Sequence, residues 1–263
     1  MIGLLDSGIG GLTVANALQS VLAEYDMIYY GDTACAPYGG RSPEKIMQYA
    51  ERSLQFLVEQ GAIVIVVACS TISSLAGDHF RRTCPLPLVD AVTAAASTAA
   101  TASCASAKIG VIGTSGTVKS LAHAKAVRQH LPQAKVYSVA APLLVPMIEA
   151  GWLKRPEFSM ALKKYLHPLK QKQIQTLIMG CNHYAVIKNM VQRKIGKRVQ
   201  LVDSASCLAH SLRDYLAAHE DVHRRLPRNG ICRYFFSDLT ADLAQAAKRF
   251  FHCSRPLEKA VLP

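Results

Sequence analysis

Two cysteines in this sequence stand where a thiol can work as an acid or a base. Ile65-Val66-Val67-Ala68-Cys69-Ser70-Thr71 and Leu177-Ile178-Met179-Gly180-Cys181-Asn182-His183 are short apolar runs that end in cysteine and continue into hydroxyl, amide or imidazole side chains. At the carboxyl end of a parallel strand such a residue faces a ligand crevice, and the N-terminus of a following helix favours the thiolate. A single cysteine so placed suggests a nucleophile. Two related by a repeat suggest inversion of a chiral carbon, which needs a base on one face and an acid on the other, with the roles exchanged in the reverse direction. The alternative is that both are packing residues at the strand ends of a duplicated fold. The eight cysteines include no Cys-x-x-Cys pair and no histidine at zinc-finger spacing. Neither a metal site nor a disulfide framework is therefore expected.

The elements that would position these thiols follow a βα rhythm, with β-branched apolar runs alternating with amphipathic stretches. Strands are expected at Ile2 to Leu5, Met27 to Tyr30, Ile63 to Val67, Leu88 to Asp90, Ile109 to Ile112, Lys135 to Val139, Thr176 to Met179, Gln200 to Val202 and Arg233 to Phe236. Glu44 to Gln60, Ser159 to Leu169 and Ser206 to His219 carry apolar residues at helical spacing. The alanine-rich stretch Ala91 to Ala107 lacks Gly and Pro and reads as a helix joining two domains. The repeat extends beyond the cysteines, because Ile2-Gly3-Leu4-Leu5-Asp6-Ser7-Gly8 is similar to Ile109-Gly110-Val111-Ile112-Gly113-Thr114-Ser115. Gly3 precedes Cys69 by 66 positions and Gly110 precedes Cys181 by 71. The expected fold class is thus α/β: two similar parallel-sheet lobes related by a pseudo-dyad, with a substrate cleft between them. Residues 1–93 and 206–263 would form the lobe carrying Cys69, and residues 94–205 the lobe carrying Cys181.

Composition narrows the function classes. Half of the 263 residues are hydrophobic and 18% are charged, as in a globular protein. No apolar run approaches the roughly 20 residues that span a bilayer, and the chain starts directly at a strand-like run. A cytoplasmic location without leader or N-terminal extension is the expectation. The formal charge of +12 is spread over clusters such as Lys163-Lys164, Lys170-Gln171-Lys172, Arg193-Lys194 to Lys197-Arg198 and His223-Arg224-Arg225. With no nucleic-acid-binding motif and few interleaved aromatics, these read as solvated faces, and a nucleic-acid partner is unsupported at this level.

Five ordered motifs resemble those of bacterial glutamate racemases. They are Asp6-Ser7-Gly8-Ile9-Gly10-Gly11-Leu12; Tyr30-Gly31-Asp32-Thr33 with Pro37-Tyr38-Gly39; Ala68-Cys69-Ser70-Thr71; Val145-Pro146-Met147-Ile148-Glu149-Ala150-Gly151; and Gly180-Cys181-Asn182-His183-Tyr184. The resemblance runs from Ile2 to about Phe251. It implies cofactor-independent racemisation of glutamate between two α/β lobes, supplying D-glutamate for peptidoglycan, with glutamate as the partner and a homodimer as the candidate assembly. Carried over by position, Cys69 would exchange the α-proton with D-glutamate and Cys181 with L-glutamate. Asp6 would assist Cys69, and His183 with Glu149 would assist Cys181. Asp6, Ser7, Pro37, Tyr38, Gly39, Ser70, Thr71, Asn182 and His183 would bind substrate. Each has a plainer reading: Asp6 as a helix cap, His183 as a structural imidazole, Glu149 as a solvated residue, Asp32 as an anchor for the Pro37-Tyr38-Gly39 loop.

Three positions depart from the pattern that this resemblance implies. Ser70 stands where an asparagine is usual, Asn182 where a threonine is usual, and Cys35 where an arginine commonly follows the Gly-Asp-Thr-Ala run. Aspartate racemisation, or amino-acid binding without turnover, remain the alternatives.

Overall fold

Ten strands and twelve α-helices make up the computed structural model, which describes residues 1–253, 255–260 and 262. The chain begins β1 (Ile2–Asp6), α1 (Leu12–Val21), β2 (Met27–Gly31), α2 (Pro43–Glu59), β3 (Val64–Val67), α3 (Ser70–Thr83), β4 (Leu88–Asp90) and α4 (Ala91–Thr101). It continues as β5 (Lys108–Gly113), α5 (Ser115–Lys119), α6 (Ala122–His130), β6 (Lys135–Ala140), α7 (Leu144–Glu149), α8 (Pro156–Gln171), β7 (Thr176–Gly180), α9 (Lys188–Ile195) and β8 (Gln200–Asp203). It ends with α10 (Ser204–Ala218), α11 (Glu220–Arg225), β9 (Cys232–Phe236), α12 (Ala241–Phe251) and β10 (Leu257–Lys259).

The strands form two wholly parallel sheets, one of six strands in the order β10-β9-β2-β1-β3-β4 and one of four in the order β6-β5-β7-β8. Both central strands have buried apolar interiors, Ile2 to Leu5 in β1 and Ile109 to Ile112 in β5, as helix layers on both faces require. β1 pairs with β2 and β3, and β5 pairs with β6 and β7, so each sheet reverses its winding at the strand that opens the repeat. In such sheets the crevice beyond the carboxyl ends at that reversal is where ligands bind.

The repeat also reaches into the connecting helices. Asp90 closes β4 and accepts from the amides of Val92 and Thr93 to cap α4, while Asp203 closes β8 and accepts from Ala205 to cap α10. The two helices pack together between the sheets. The helix expected over Ala91 to Ala107 stops at Thr101. The amides of Ala102 and Ser103 turn back onto Thr98 and Ala100, and Ala107 onto Cys104, so that the chain can reverse into β5. Strand β10 was not anticipated, being a three-residue edge strand with Glu258 and Lys259 in it.

Candidate active site

Cys69 and Cys181 end up facing one cavity of about 510 Å³ at the carboxyl ends of both sheets. Ser7, Pro37, Tyr38, Gly39, Ser70, Thr71, Glu149, Asn182 and His183 face it as well. Each thiol lies just past a buried strand: Cys69 is separated from β3 by Ala68 and is the N-cap of α3, and Cys181 directly follows β7 and leads into a 3₁₀ turn over Asn182–Ile187.

Around Cys69 the polar contact is the Ser7 hydroxyl, 3.1 Å from the sulfur. Burial pushes the Cys69 thiol up to about 12, the Asp6 charge adds to this, and the hydrogen bonds from Ser7 and the Ile72 amide oppose it. Cys69 therefore rests as a protonated thiol. Around Cys181 the setting is ionic. His183 Nδ1 lies 3.8 Å from the Cys181 sulfur, and its Nε2 lies 2.8 Å from Glu149 Oε1. Burial on its own would lower the imidazolium, but hydrogen bonds and charge from Cys181 and Glu149 outweigh it and hold His183 up at about 10. The cation so formed is placed to stabilise negative charge on the Cys181 sulfur. The edge of the Phe251 ring meets the His183 ring at 5.4 Å and 89°, fixing its plane from α12.

Asp6 is the exception among the expected site residues, for it stands behind the cavity wall, 1% exposed. Its Oδ2 accepts from the amides of Gly8 and Gly11 and the Tyr29 hydroxyl, and its Oδ1 from the Asn182 amide at 2.8 Å. Those four donors engage both oxygens, so the carboxylate shapes the turn and reaches across to the opposite sheet. It is not the side-chain cap of α1 either, whose N-cap is Gly11 without a side-chain bond. Asn182 also donates to the Ala68 carbonyl and accepts from His183 Nδ1, which ties the two thiol-bearing turns together. Gly10 is needed at this junction, since a Cβ there would lie 2.2 Å from His183 Nδ1 and 2.4 Å from Asn182 Oδ1.

Ser70 differs from its neighbours in having a buried hydroxyl with no hydrogen-bond partner among the described residues, although it borders the cavity. Such a group costs roughly 1–3 kcal/mol unless a ligand or water satisfies it. Asp32 anchors the loop that precedes α2. It accepts from the Tyr38 hydroxyl at 2.7 Å and from Ser237 at 2.7 Å, and it does not face the cavity.

Sequence reasoning missed several cavity residues. Thr114 and Ser115 could have been found, because the repeat superposes Thr114 on Ser7. Thr114 Oγ1 lies 3.0 Å from both Thr71 Oγ1 and Thr117 Oγ1, making a hydroxyl cluster between the sheets. Asp242, Leu243 and Ala246 of α12 close the cavity without any motif to announce them. Among the described residues, no Lys or Arg faces the cavity. An anionic ligand would thus be held by hydroxyls, by backbone N–H groups at the start of α3, and by His183.

Residues 12–212 match the family model described as Asp/Glu/Hydantoin racemase. A glutamate racemase of Syntrophus aciditrophicus is 36% identical over 97% of this chain and 94% of its own. One from Geobacter metallireducens is 38% identical over 95% and 92%. Among solved structures, the Francisella tularensis glutamate racemase in complex with D-glutamate superposes with a TM-score of 0.89 at 31% identity, covering 100% of this chain and 97% of the other.

Proposed function

The chain belongs to the Asp/Glu/hydantoin racemase family, and from that premise we propose that this amino-acid racemase interconverts L- and D-glutamate with Cys69 and Cys181 as opposed acid and base. The observation that carries the reading is the pair of thiols on one cavity in unlike surroundings, Cys69 beside the Ser7 hydroxyl and Cys181 beside the His183–Glu149 pair. In the L-to-D direction the Cys181 sulfur takes the α-proton, and the electron pair left on carbon is drawn toward the α-carboxylate. The Cys69 thiol then delivers its proton to the opposite face. The sulfurs finish with charge and proton exchanged, which is the state that D-glutamate requires for the return.

In this reading His183 supports the Cys181 thiolate and Glu149 keeps His183 charged. Ser7 stabilises the Cys69 sulfur when it is the anion. Ser70, Thr71 and Asn182 with Pro37, Tyr38 and Gly39 form the substrate wall, and Asp6 positions Asn182 and the Gly8 to Gly11 turn. Residues 1–93 with 206–263, and residues 94–205, act as the two lobes that close on the substrate. Among the described residues no lysine faces the cavity, and in this reading the thiols supply the acid and the base themselves. The D-glutamate formed in the cytoplasm would feed peptidoglycan synthesis.

Circular dichroism of the purified, dialysed protein with L-glutamate, D-glutamate and L-aspartate in turn tests this without added cofactor. Loss of signal from both glutamate enantiomers, with L-aspartate unchanged, is the expected result. Racemisation of aspartate alone would reassign the substrate, and no change with any of the three would leave a binding protein.

A further inference from the structure

The net charge of this protein is confined to one part of the fold. Residues 94–205, which carry the four-stranded sheet, hold sixteen of the thirty Lys and Arg and only three of the eighteen Asp and Glu. The rest of the chain is close to neutral, with fourteen basic and fifteen acidic residues. The topology separates the charges further. The three acids are Glu149 at the cavity, Glu157 in the first turn of α8, and Asp203 at the carboxyl end of β8, all toward the catalytic end of the sheet.

The opposite end, where the strands begin and helices α6, α8 and α9 finish, carries no Asp or Glu of this segment, only cations. Lys108 and Lys135 open the paired strands β5 and β6, Lys170 lies in the last turn of α8, and Arg193 lies in the last turn of α9. Lys197 and Arg198 occupy the turn that enters β8. Of these six, all but the partly buried Lys108 are exposed. Ion pairing does not neutralise them. Among the described residues, the one Lys or Arg of the segment in a side-chain ion pair is Lys188, with Asp203, whereas Arg81, Arg213, Arg224, Arg233 and Lys259 are paired elsewhere in the chain.

We propose that this cationic pole is a binding surface for the phosphodiester backbone of nucleic acid, on the side of the sheet away from the substrate cavity. Four strands at about 4.8 Å spacing with a helix layer on each face give a surface some 20 Å across, enough to meet several phosphates of a duplex. Neutralising phosphates and releasing their counterions is sufficient for binding without sequence preference. Glutamines Gln173, Gln175 and Gln200 lie among the cations as hydrogen-bond donors to phosphate or sugar. A bilayer surface fits less well, because docking there uses an exposed apolar anchor beside the cations. The large exposed hydrophobics Leu121, Leu143 and Met160 sit at the starts of α6, α7 and α8, the catalytic end, and Ile231 belongs to the other sheet's segment. The apolar face of α8 is itself spent in the core through Phe158, Leu162, Leu166 and Leu169.

Fluorescence anisotropy of a labelled random-sequence 20-base-pair duplex, titrated with the full-length protein at several salt concentrations, tests the proposal. Contact with about six phosphates predicts a slope of log K against log salt near −5. The variant Lys170→Glu/Lys197→Glu/Arg198→Glu should weaken binding at least roughly thirtyfold and flatten that slope by about 3. Lys45→Glu/Arg82→Glu/Arg225→Glu, with the same change in net charge on exposed positions outside the segment, should change affinity less than about twofold. Both variants should racemise glutamate as the unaltered protein does, which also verifies folding. No binding up to about 100 µM protein at low salt, the upper end of non-specific affinities, would overturn the proposal. So would equal losses in the two variants, or binding to phosphatidylserine vesicles without binding to the duplex. The wild-type salt slope decides the matter even where a variant is unstable.

Discussion

The two cysteine turns occupy corresponding places in the internal repeat yet are built differently, and the contrast lies in what stands beside each thiol. Cys69 caps a fourteen-residue helix and has a neutral hydroxyl beside it; Cys181 enters a 3₁₀ turn and has an imidazole and a carboxylate in series behind it. The repeat places Ser70 opposite Asn182 and Thr71 opposite His183, so the backbone is shared and the side chains one and two places on make the difference. Burial keeps the Cys69 thiol protonated, whereas Cys181 has the raised His183 imidazolium beside it. The bridge between them is also unsymmetrical, because the Asn182 amide crosses to Asp6 and Ala68 while the Ser70 hydroxyl has no partner among the described residues.

Removing either thiol should break the comparison most severely. Cys69→Ser or Cys181→Ser replaces a thiol by an oxygen acid of much higher pKa, and racemisation should fall at least roughly a hundredfold in both directions. Initial rates by circular dichroism read this directly. Near-normal turnover from either variant would mean that the two thiols are not the acid and base.

A smaller and directional effect is expected at Glu149. The His183 imidazolium is held at about 10, above its ordinary value of 6.5. The stability this gives is full below pH 6.5 and is lost as pH rises through about 10. Glu149→Gln removes a raising influence, so the alkaline limb of the L-to-D rate should move to lower pH, and turnover should drop about tenfold, less than the roughly 10²–10⁴-fold contributed by a group that transfers the proton itself. The pH profile of kcat for each direction checks this, and an unmoved alkaline limb would detach Glu149 from His183.

The smallest effect belongs to Ser70. Ser70→Ala deletes a hydroxyl that has no partner among the described residues but borders the cavity. The KM for glutamate should rise some fivefold, about 1 kcal/mol of lost hydrogen bonding, with kcat little changed. An unchanged KM would show that this hydroxyl does not meet the substrate.

Much of this architecture was legible in the sequence because parallel strands buried on both faces announce themselves as apolar runs, and nine of the ten strands lie where those runs fall. β10 and the cavity-closing face of α12 were not, since a short charged edge strand and an amphipathic helix look alike wherever they dock. The site was readable as far as motifs reach. Ser7, Tyr38, Ser70 and His183 face the cavity as their positions suggested, and Asp32 anchors its loop. What motifs could not convey was depth, for Asp6 sits behind the wall because its oxygens are used by Gly8, Gly11, Tyr29 and Asn182. The cationic pole was invisible for a related reason. Its residues come from separate segments, and only the parallel topology gathers strand starts and helix ends at one edge.

That one thiol serves each face of the α-carbon is tested most directly by exchange of the α-hydrogen with solvent deuterium in the two serine variants. Proton NMR should show Cys69→Ser exchanging the α-hydrogen of L-glutamate and not of D-glutamate, with Cys181→Ser showing the reverse. A variant that exchanges both enantiomers, or the opposite one, would contradict the assignment of the two thiols to opposite faces.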